Sequence, residues 1–136
     1  MPDQKSNQYI HDFTILLVED DLINQQITKK ILEKLGYNVI LATNGMQAVT
    51  LYQNNSLIDL IMMDIQLPVA DGIEATRMIR EIEGGTGGTY KIPIVAVTGK
   101  ATKLECIEAG CNEYLSKPIK IADLRKIFNT YLKKKN

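Results

Sequence analysis

Apolar residues are arranged along this chain in two alternating patterns. Continuous apolar runs of strand length recur, and most are followed by a segment whose apolar positions lie three or four residues apart. The continuous runs predict strands buried on both faces, whereas the wider spacing predicts amphipathic helices. The predicted strands are FTILLVE (13–19), YNVILAT (37–43), LIDLIMMD (57–64), IPIVAVT (92–98) and NEYLS (112–116).

Turn and cap residues delimit the predicted helices. The first helix begins at Leu22, stops at Gly36, and carries an apolar stripe of residues four apart, Ile23, Ile27, Ile31 and Leu35. The second helix is MQAVTLYQ (46–53), which follows Asn44 and Gly45. The third opens with the capping-box pair Asp71 and Glu74 and runs to about Glu83, and the fourth runs from about 102 to 109 before Gly110. The last helix carries the apolar residues Ile121, Leu124, Ile127, Phe128 and Leu132.

Five strand-then-helix units predict an α/β domain with one parallel sheet and helices on both of its faces. In such sheets the polar site lies at the carboxyl ends of the strands. The residues predicted there are Glu19 and Asp20, Asp64, Thr98, and Ser116 with Lys117. Three acids, a hydroxyl group and a lysine are therefore expected to meet at one edge.

Composition narrows the class of protein. The chain has 136 residues, 45% of them hydrophobic, and a formal net charge of zero, so one globular domain is expected and no electrostatic case exists for nucleic acid. No apolar run approaches the roughly 20 residues of a membrane span, and the N-terminus lacks a signal-peptide core. A cytoplasmic protein is expected, in which Cys106 and Cys111 are reduced and partly buried rather than zinc ligands.

The predicted edge has a specific chemistry. Mutual repulsion disfavours ionising Glu19, Asp20 and Asp64 together unless a cation lies between them. Oxygen ligands suit Mg²⁺, which usually keeps positions for phosphate oxygens. Lys117 would supply positive charge for a phosphoryl group and Thr98 a hydroxyl donor, so Asp64 is predicted to be a nucleophile that forms an aspartyl phosphate.

Each of these residues also has an ordinary structural explanation. Asp20 or Asp21 could simply cap the first helix, and Lys117 before Pro118 could lie in a surface turn. The case for a site depends on their coincidence at one edge of the predicted sheet.

Four blocks of this chain, LLVEDD, MMDIQLPVADG, AVTG and YLSKPI, resemble in order the blocks of the response-regulator receiver domains of two-component signalling. The resemblance covers about Phe13 to Leu132 and is strongest to receivers of hybrid histidine kinases. It implies a flavodoxin-like sheet in the order 2-1-3-4-5. The receiver would then occupy residues 13–132, between a flexible arm (1–12) and a basic tail (133–136).

The resemblance also implies roles for individual residues. Asp64 would accept phosphate from a phosphohistidine of a histidine kinase or histidine phosphotransfer protein, and so catalyse its own modification. Mg²⁺ would be held by Glu19, Asp20, Asp64 and the backbone carbonyl of Gln66. The remaining roles are phosphoryl binding by Thr98 and Lys117, switching by Thr98 and Tyr114, a cis Lys117–Pro118 bond, and tuning of dephosphorylation by Gln66 and Lys100.

Output is expected to reach a downstream protein through the surface of the fourth helix, fifth strand and fifth helix. The interval from Thr98 to Lys117 is about three residues shorter than the usual receiver pattern, so this surface is expected to be unusual. Because no further domain follows the fifth helix, the chain is expected to be a stand-alone regulator or a receiver excised from a hybrid kinase.

Two alternatives stay open. A phosphorylation-independent pseudo-receiver would have the same fold and act only by binding partners. A phosphatase of the haloacid dehalogenase type would share the Asp nucleophile, but it needs a second Asp where this chain has Gln66.

Overall fold

The computed structural model of the protein describes residues 13–65, 72–85, 91–99 and 103–132. The predicted arm (1–12) and basic tail (133–136) lie outside these residues. The elements are β1 (Thr14–Val18), α1 (Leu22–Lys34), β2 (Asn38–Ala42), α2 (Gly45–Asn54), β3 (Leu60–Asp64), α3 (Gly72–Gly85), β4 (Ile94–Thr98), α4 (Lys103–Ala109), β5 (Glu113–Ser116) and α5 (Ile121–Tyr131). Each predicted strand and helix is present, with small differences at its ends.

The strands form one parallel sheet in the order β2-β1-β3-β4-β5, which confirms the predicted order. β3 is central, and its five residues are all buried. Because parallel strands with crossover helices are covered on both faces, a continuous apolar run is the pattern that such a strand requires.

Alternate residues of the strands face two different core layers. One layer contains Leu16 and Met63 with side chains of α2, α3 and α4. The other contains Leu17 and Met62 with side chains of α1 and α5, including Phe128. Burial of these layers fixes the sheet between its helices, and it leaves the ends of the strands as the place for polar groups.

Short polar side chains begin the first two helices. The Asn24 backbone N–H donates to Asp21 Oδ1 at 2.9 Å, and the Gln47 N–H donates to Asn44 Oδ1 at 2.8 Å. Asp21 is therefore the cap of α1, in agreement with its structural explanation. The predicted capping residue Asp71 lies outside the described residues.

The apolar stripe predicted for α1 is wrong in its first half. Ile23 is 72% exposed and Ile27 is 53% exposed, whereas Gln25 and Leu32 are buried. A step of four residues advances by about 40° more than one helical turn, so a stripe at that spacing rotates away from the sheet along a straight helix. Only its second half, Ile31 and Leu35, packs against the core.

No helix among the described residues is long and apolar enough to cross a bilayer. Both cysteines, Cys106 and Cys111, are buried and free, as the sequence predicts. Burial raises the pKa of the Cys111 thiol to about 11.

Candidate functional site

Asp64 is the last residue of the central strand and is only 3% exposed. Its backbone is fixed by the sheet, because Asp64 lies opposite Val97 in the β3–β4 register and the Ile65 N–H donates to the Val97 carbonyl at 3.1 Å. A buried carboxylate requires charged or hydrogen-bonding partners. The neighbouring strand ends supply them.

Two further acids lie next to Asp64, directly after β1. Glu19 is buried and Asp20 is exposed, and oxygen atoms from the three carboxylates all lie within 4.8 Å of one another. The Glu19 backbone N–H donates to the Ala42 carbonyl at 3.0 Å, which anchors this loop to β2. The structure thus brings together the three acids that the sequence places at the sheet edge.

Lys117 supplies the opposing charge from the turn after β5. Its Nζ donates to Asp64 Oδ2 at 3.1 Å and lies 3.6 Å from Glu19 Oε1. Its backbone N–H donates to the Thr98 carbonyl at 3.0 Å, and the Lys117–Pro118 peptide bond is cis, as the resemblance implies.

The pKa values of Glu19 and Lys117 are both raised, although burial acts with opposite sign on the two groups. Burial raises the pKa of Glu19, and the charges of Asp64 and Asp20 raise it further against the lowering effects of the Asp21 N–H and Lys117. For Lys117, burial lowers the pKa, but the hydrogen bond and charge of Asp64, together with Glu19, outweigh it and raise the pKa above its ordinary value. The lysine therefore stays cationic at neutral pH.

The donor set fits a hard divalent cation. It consists of carboxylate oxygens without nitrogen or sulfur, and one acid is exposed, so the cluster is open to a hydrated ion. Glu19, Asp20 and Asp64 would hold Mg²⁺, and the ion would offset the repulsion that one lysine leaves among three acids. Gln66, whose carbonyl was predicted as a further ligand, lies outside the described residues.

Thr98 and Tyr114, the predicted switch pair, lie on neighbouring strands. Thr98 ends β4, is fully buried and is paired with Ser116, whereas Tyr114 is paired with Ala96 and is half-buried against the core layer of α2, α3 and α4. The structure brings Thr98 to the same edge as Asp64. Lys100, predicted to tune dephosphorylation, lies outside the described residues.

Gln25 is a site neighbour that sequence reasoning missed. It is buried in α1, and its Nε2 donates to the Glu19 backbone carbonyl at 3.1 Å. The available signal was its position seven residues before Leu32, which places both side chains on one face of the helix.

A surface groove of about 480 Å³ borders the site between α1 and the turn after β5. Its apolar walls come from Ile27 and Ile31 on one side and from Pro118 and Ile119 on the other, and Glu19 and Lys117 reach it from the site. Ile23, one helical turn before Ile27, is also exposed. An apolar surface beside a charged site is typical of a protein-docking surface.

This chain is similar in sequence to known receiver domains. Residues 15–129 match the family model described as the response regulator receiver domain. Hybrid signal transduction histidine kinase I of Dictyostelium discoideum is 41% identical over 125 residues, which cover 87% of this chain and 7% of that protein. The chain thus spans less than a tenth of the length of that relative.

Two similar solved structures are also receiver domains. The receiver domain of sensor histidine kinase PA1611 from Pseudomonas aeruginosa PAO1, with a magnesium ion coordinated in its active site cleft, is 42% identical with a TM-score of 0.77 over 88% of this chain and 96% of that one. The receiver domain of Ssk1 from Saccharomyces cerevisiae, crystallised with the histidine phosphotransfer protein Ypd1, is 35% identical with a TM-score of 0.80 over 88% of both chains.

Proposed function

Since this chain belongs to the response regulator receiver domain family, we propose that Asp64 accepts a phosphoryl group from a phosphohistidine in a phosphorelay. The observation that carries this proposal is the setting of Asp64. Its carboxylate is buried at the end of the central strand, 3.1 Å from a lysine ammonium and beside two further acids. A carboxylate that lies beside a cation and two further acids is placed to bind a metal and a phosphoryl group together.

In the proposed transfer, an Asp64 oxygen attacks the phosphorus atom of the donor. A phosphorus–oxygen bond forms, the phosphorus–nitrogen bond breaks, and its electron pair stays on the donor imidazole. Lys117 Nζ would donate to a phosphoryl oxygen, and the hydroxyl group of Thr98 would donate to another. Mg²⁺, when bound, would supply positive charge that neutralises the phosphoryl oxygens.

The same site would reverse its own modification by hydrolysis, when water attacks the phosphorus and the Asp64 carboxylate is released with inorganic phosphate. The tuning roles predicted for Gln66 and Lys100 belong to this step and stay predictions. The protein would therefore catalyse changes to itself rather than turn over an external substrate.

The phosphodonor that we propose is a histidine kinase or a histidine phosphotransfer protein in the cytoplasm. A donor of this kind must bring its imidazole over the sheet edge, so its surface must cover the rim of the site. The exposed apolar side chain of Ile27 lines the groove beside Glu19 and Lys117. We expect the donor to dock on α1 and on the groove between Ile27 and Pro118.

Output would leave through the other side of the site. Thr98 would move toward the phosphoryl group and Tyr114 would move with it, which would repack the α4–β5–α5 surface for a downstream protein. A groove of about 270 Å³ between β5 and α5, lined by Tyr114, Lys126 and Ile127, lies on that surface.

Phosphorylation by acetyl phosphate and Mg²⁺, followed by intact-mass analysis, tests the proposal. We expect the mass of one phosphoryl group on the wild type and on Asp123→Asn, which changes an exposed acid in α5, and none on Asp64→Asn or without Mg²⁺. No addition to the wild type would instead favour the phosphorylation-independent alternative.

A further inference from the structure

Gln25 is a polar side chain in a position where the helix would ordinarily bury an apolar one. It is 4% exposed, whereas its neighbours Leu22 and Ile23 point to solvent. Burying an amide group costs free energy unless the group is hydrogen-bonded, so the hydrogen bond of the Gln25 amide indicates why glutamine is tolerated there. That contact is the backbone carbonyl of Glu19, at 3.1 Å from Nε2.

The hydrogen bond from Gln25 is one of three that hold Glu19 in place. The Glu19 N–H donates to Ala42 in β2, and Glu19 Oε2 accepts from the Asp21 N–H at 3.1 Å. The oxygen that Gln25 holds belongs to the peptide group that joins Glu19 to Asp20. Because a peptide group is planar and rigid, holding its oxygen sets the direction in which Asp20 continues from it.

We propose that Gln25 is a positioning residue for the acidic site, one that holds the Glu19–Asp20 peptide group so that the carboxylates converge before any cation binds. The proposal rests on the proposed function, because it assigns Gln25 a task in the binding of Mg²⁺. Ligands fixed in advance lose less conformational freedom on binding, and groups that orient metal ligands commonly change affinity by about 10–100-fold when removed.

The substitution Gln25→Leu removes the donor and keeps a side chain of similar size. Gln26→Leu, at the adjacent exposed position, is the matched control. We expect Gln25→Leu to weaken Mg²⁺ binding to the unphosphorylated protein by about tenfold, measured by NMR titration, and Gln26→Leu to leave it unchanged. At saturating Mg²⁺ the rate of phosphorylation by acetyl phosphate should return to within about twofold of the wild type, because Gln25 touches no reacting atom.

Amide hydrogen exchange in metal-free protein gives a second measurement. If Gln25 positions the loop, exchange at Asp20 and Asp21 should become faster in Gln25→Leu, whereas exchange in β3 should not change. A role limited to helix packing would lower thermal stability and leave both the Mg²⁺ affinity and the loop exchange unaltered, and that result would overturn the proposal.

Two outcomes separate this inference from the proposed function. A wild type that binds no Mg²⁺ and gains no phosphate would overturn the function itself. A wild type that binds Mg²⁺ with the same affinity as Gln25→Leu would overturn only the role of Gln25. If Gln25→Leu does not fold, Gln25→Met, with an unbranched side chain of similar length, provides the same comparison.

Discussion

Gly72 lies so close to Asp64 that a Cβ atom at position 72 would overlap the Asp64 backbone carbonyl oxygen. The same Cβ would lie 2.8 Å from the Cα of Ile65, and both neighbours are backbone atoms that cannot rotate away. The Gly72 N–H meanwhile donates to the Ile65 carbonyl at 3.1 Å. Close approach of α3 to the end of β3 therefore depends on glycine at this position.

Gly72→Ala is expected to destabilise the protein by about 2–3 kcal/mol and to slow phosphorylation by acetyl phosphate, because the added methyl group displaces the backbone that carries Asp64. Urea denaturation and initial rates measure the two effects. Gly84→Ala in the same helix is the control, since its Cβ meets nothing within 4 Å. A Gly72→Ala variant as stable as Gly84→Ala would refute the close approach.

Removal of the Lys117 ammonium group should reduce the rate of phosphorylation. Lys117→Met loses the donor to Asp64 and the counter-charge to Glu19, so we expect a decrease of about a hundredfold or more in the acetyl phosphate reaction at saturating Mg²⁺. Lys120→Met, at an exposed position three residues away, should react like the wild type. Equal rates in the two variants would exclude the role assigned to Lys117.

Glu19 predicts a pH dependence of stability in metal-free protein. Burial raises its pKa, so the folded state binds the proton more tightly than the unfolded state does. Ionised Glu19 therefore destabilises the fold, and this penalty develops as the pH rises through the unfolded and then the folded pKa. Glu19→Gln lacks the penalty, so its melting temperature should exceed that of the wild type by a few degrees at pH 7 and converge with it near pH 4.

Added Mg²⁺ should make the melting temperature of the wild type exceed that of Glu19→Gln at pH 7. Because a bound ligand stabilises the state that binds it, Mg²⁺ should raise the melting temperature of the wild type more than that of Glu19→Gln, which has lost a carboxylate from the cluster. A variant that melts below the wild type at pH 7 without metal would contradict the electrostatic argument.

The sequence predicted the fold and the residues at the sheet edge because both depend on periodicity. Strands buried on two faces require continuous apolar runs, and parallel strands bring their carboxyl ends together, so Asp64, Thr98 and Lys117 could be grouped from the sequence alone. Gln25 could not be assigned a partner in this way. Its partner is a backbone carbonyl. Because every residue has one, the sequence does not indicate which carbonyl Gln25 contacts.

The exposed half of α1 was missed for a related reason. Apolar residues four apart suggest one buried stripe, but which part of a stripe faces the sheet depends on how the helix lies on it. The side chains of Ile23 and Ile27 reach solvent beside the site, where sequence reasoning expected core. Exposed apolar side chains beside a site indicate a surface that binds another protein, and they do not indicate packing in the core.

The docking role proposed for α1 separates donors by size. Ile27→Asp should slow transfer from a phosphorylated histidine phosphotransfer protein by about tenfold, because a charge would be buried under the partner. Acetyl phosphate is too small to need that surface, so its reaction should stay within about twofold of the wild type. Leu57 is 72% exposed and precedes β3, at the end of the sheet away from the site. Leu57→Asp should therefore change neither of the two reaction rates. Equal loss with both phosphodonors would place Ile27 in the site's chemistry or stability instead of in docking.

A polar network around Arg80 and Glu83 ties α3 to the elements on either side of it. Arg80 donates from Nη1 to Glu83 Oε1 at 2.7 Å and from Nε to the Gly110 carbonyl at 2.9 Å. Nη2 donates to Asn112 Oδ1 at 2.8 Å, so the turn between α4 and β5 is held from the same side chain. The other Glu83 oxygen accepts from the Ile92 N–H at 2.7 Å.

Arg80→Leu should therefore cost about 3 kcal/mol, since it removes the arginine that pairs with the buried Glu83 carboxylate at 2.7 Å. Arg77→Leu removes an exposed arginine from the same helix and should change the free energy of unfolding by less than about 0.5 kcal/mol. Urea denaturation compares the two, and the double variant Arg80→Leu with Glu83→Leu should recover part of the loss because no unpaired charge remains. If Arg80→Leu is as stable as Arg77→Leu, the network does not hold the turn between α4 and β5 to α3.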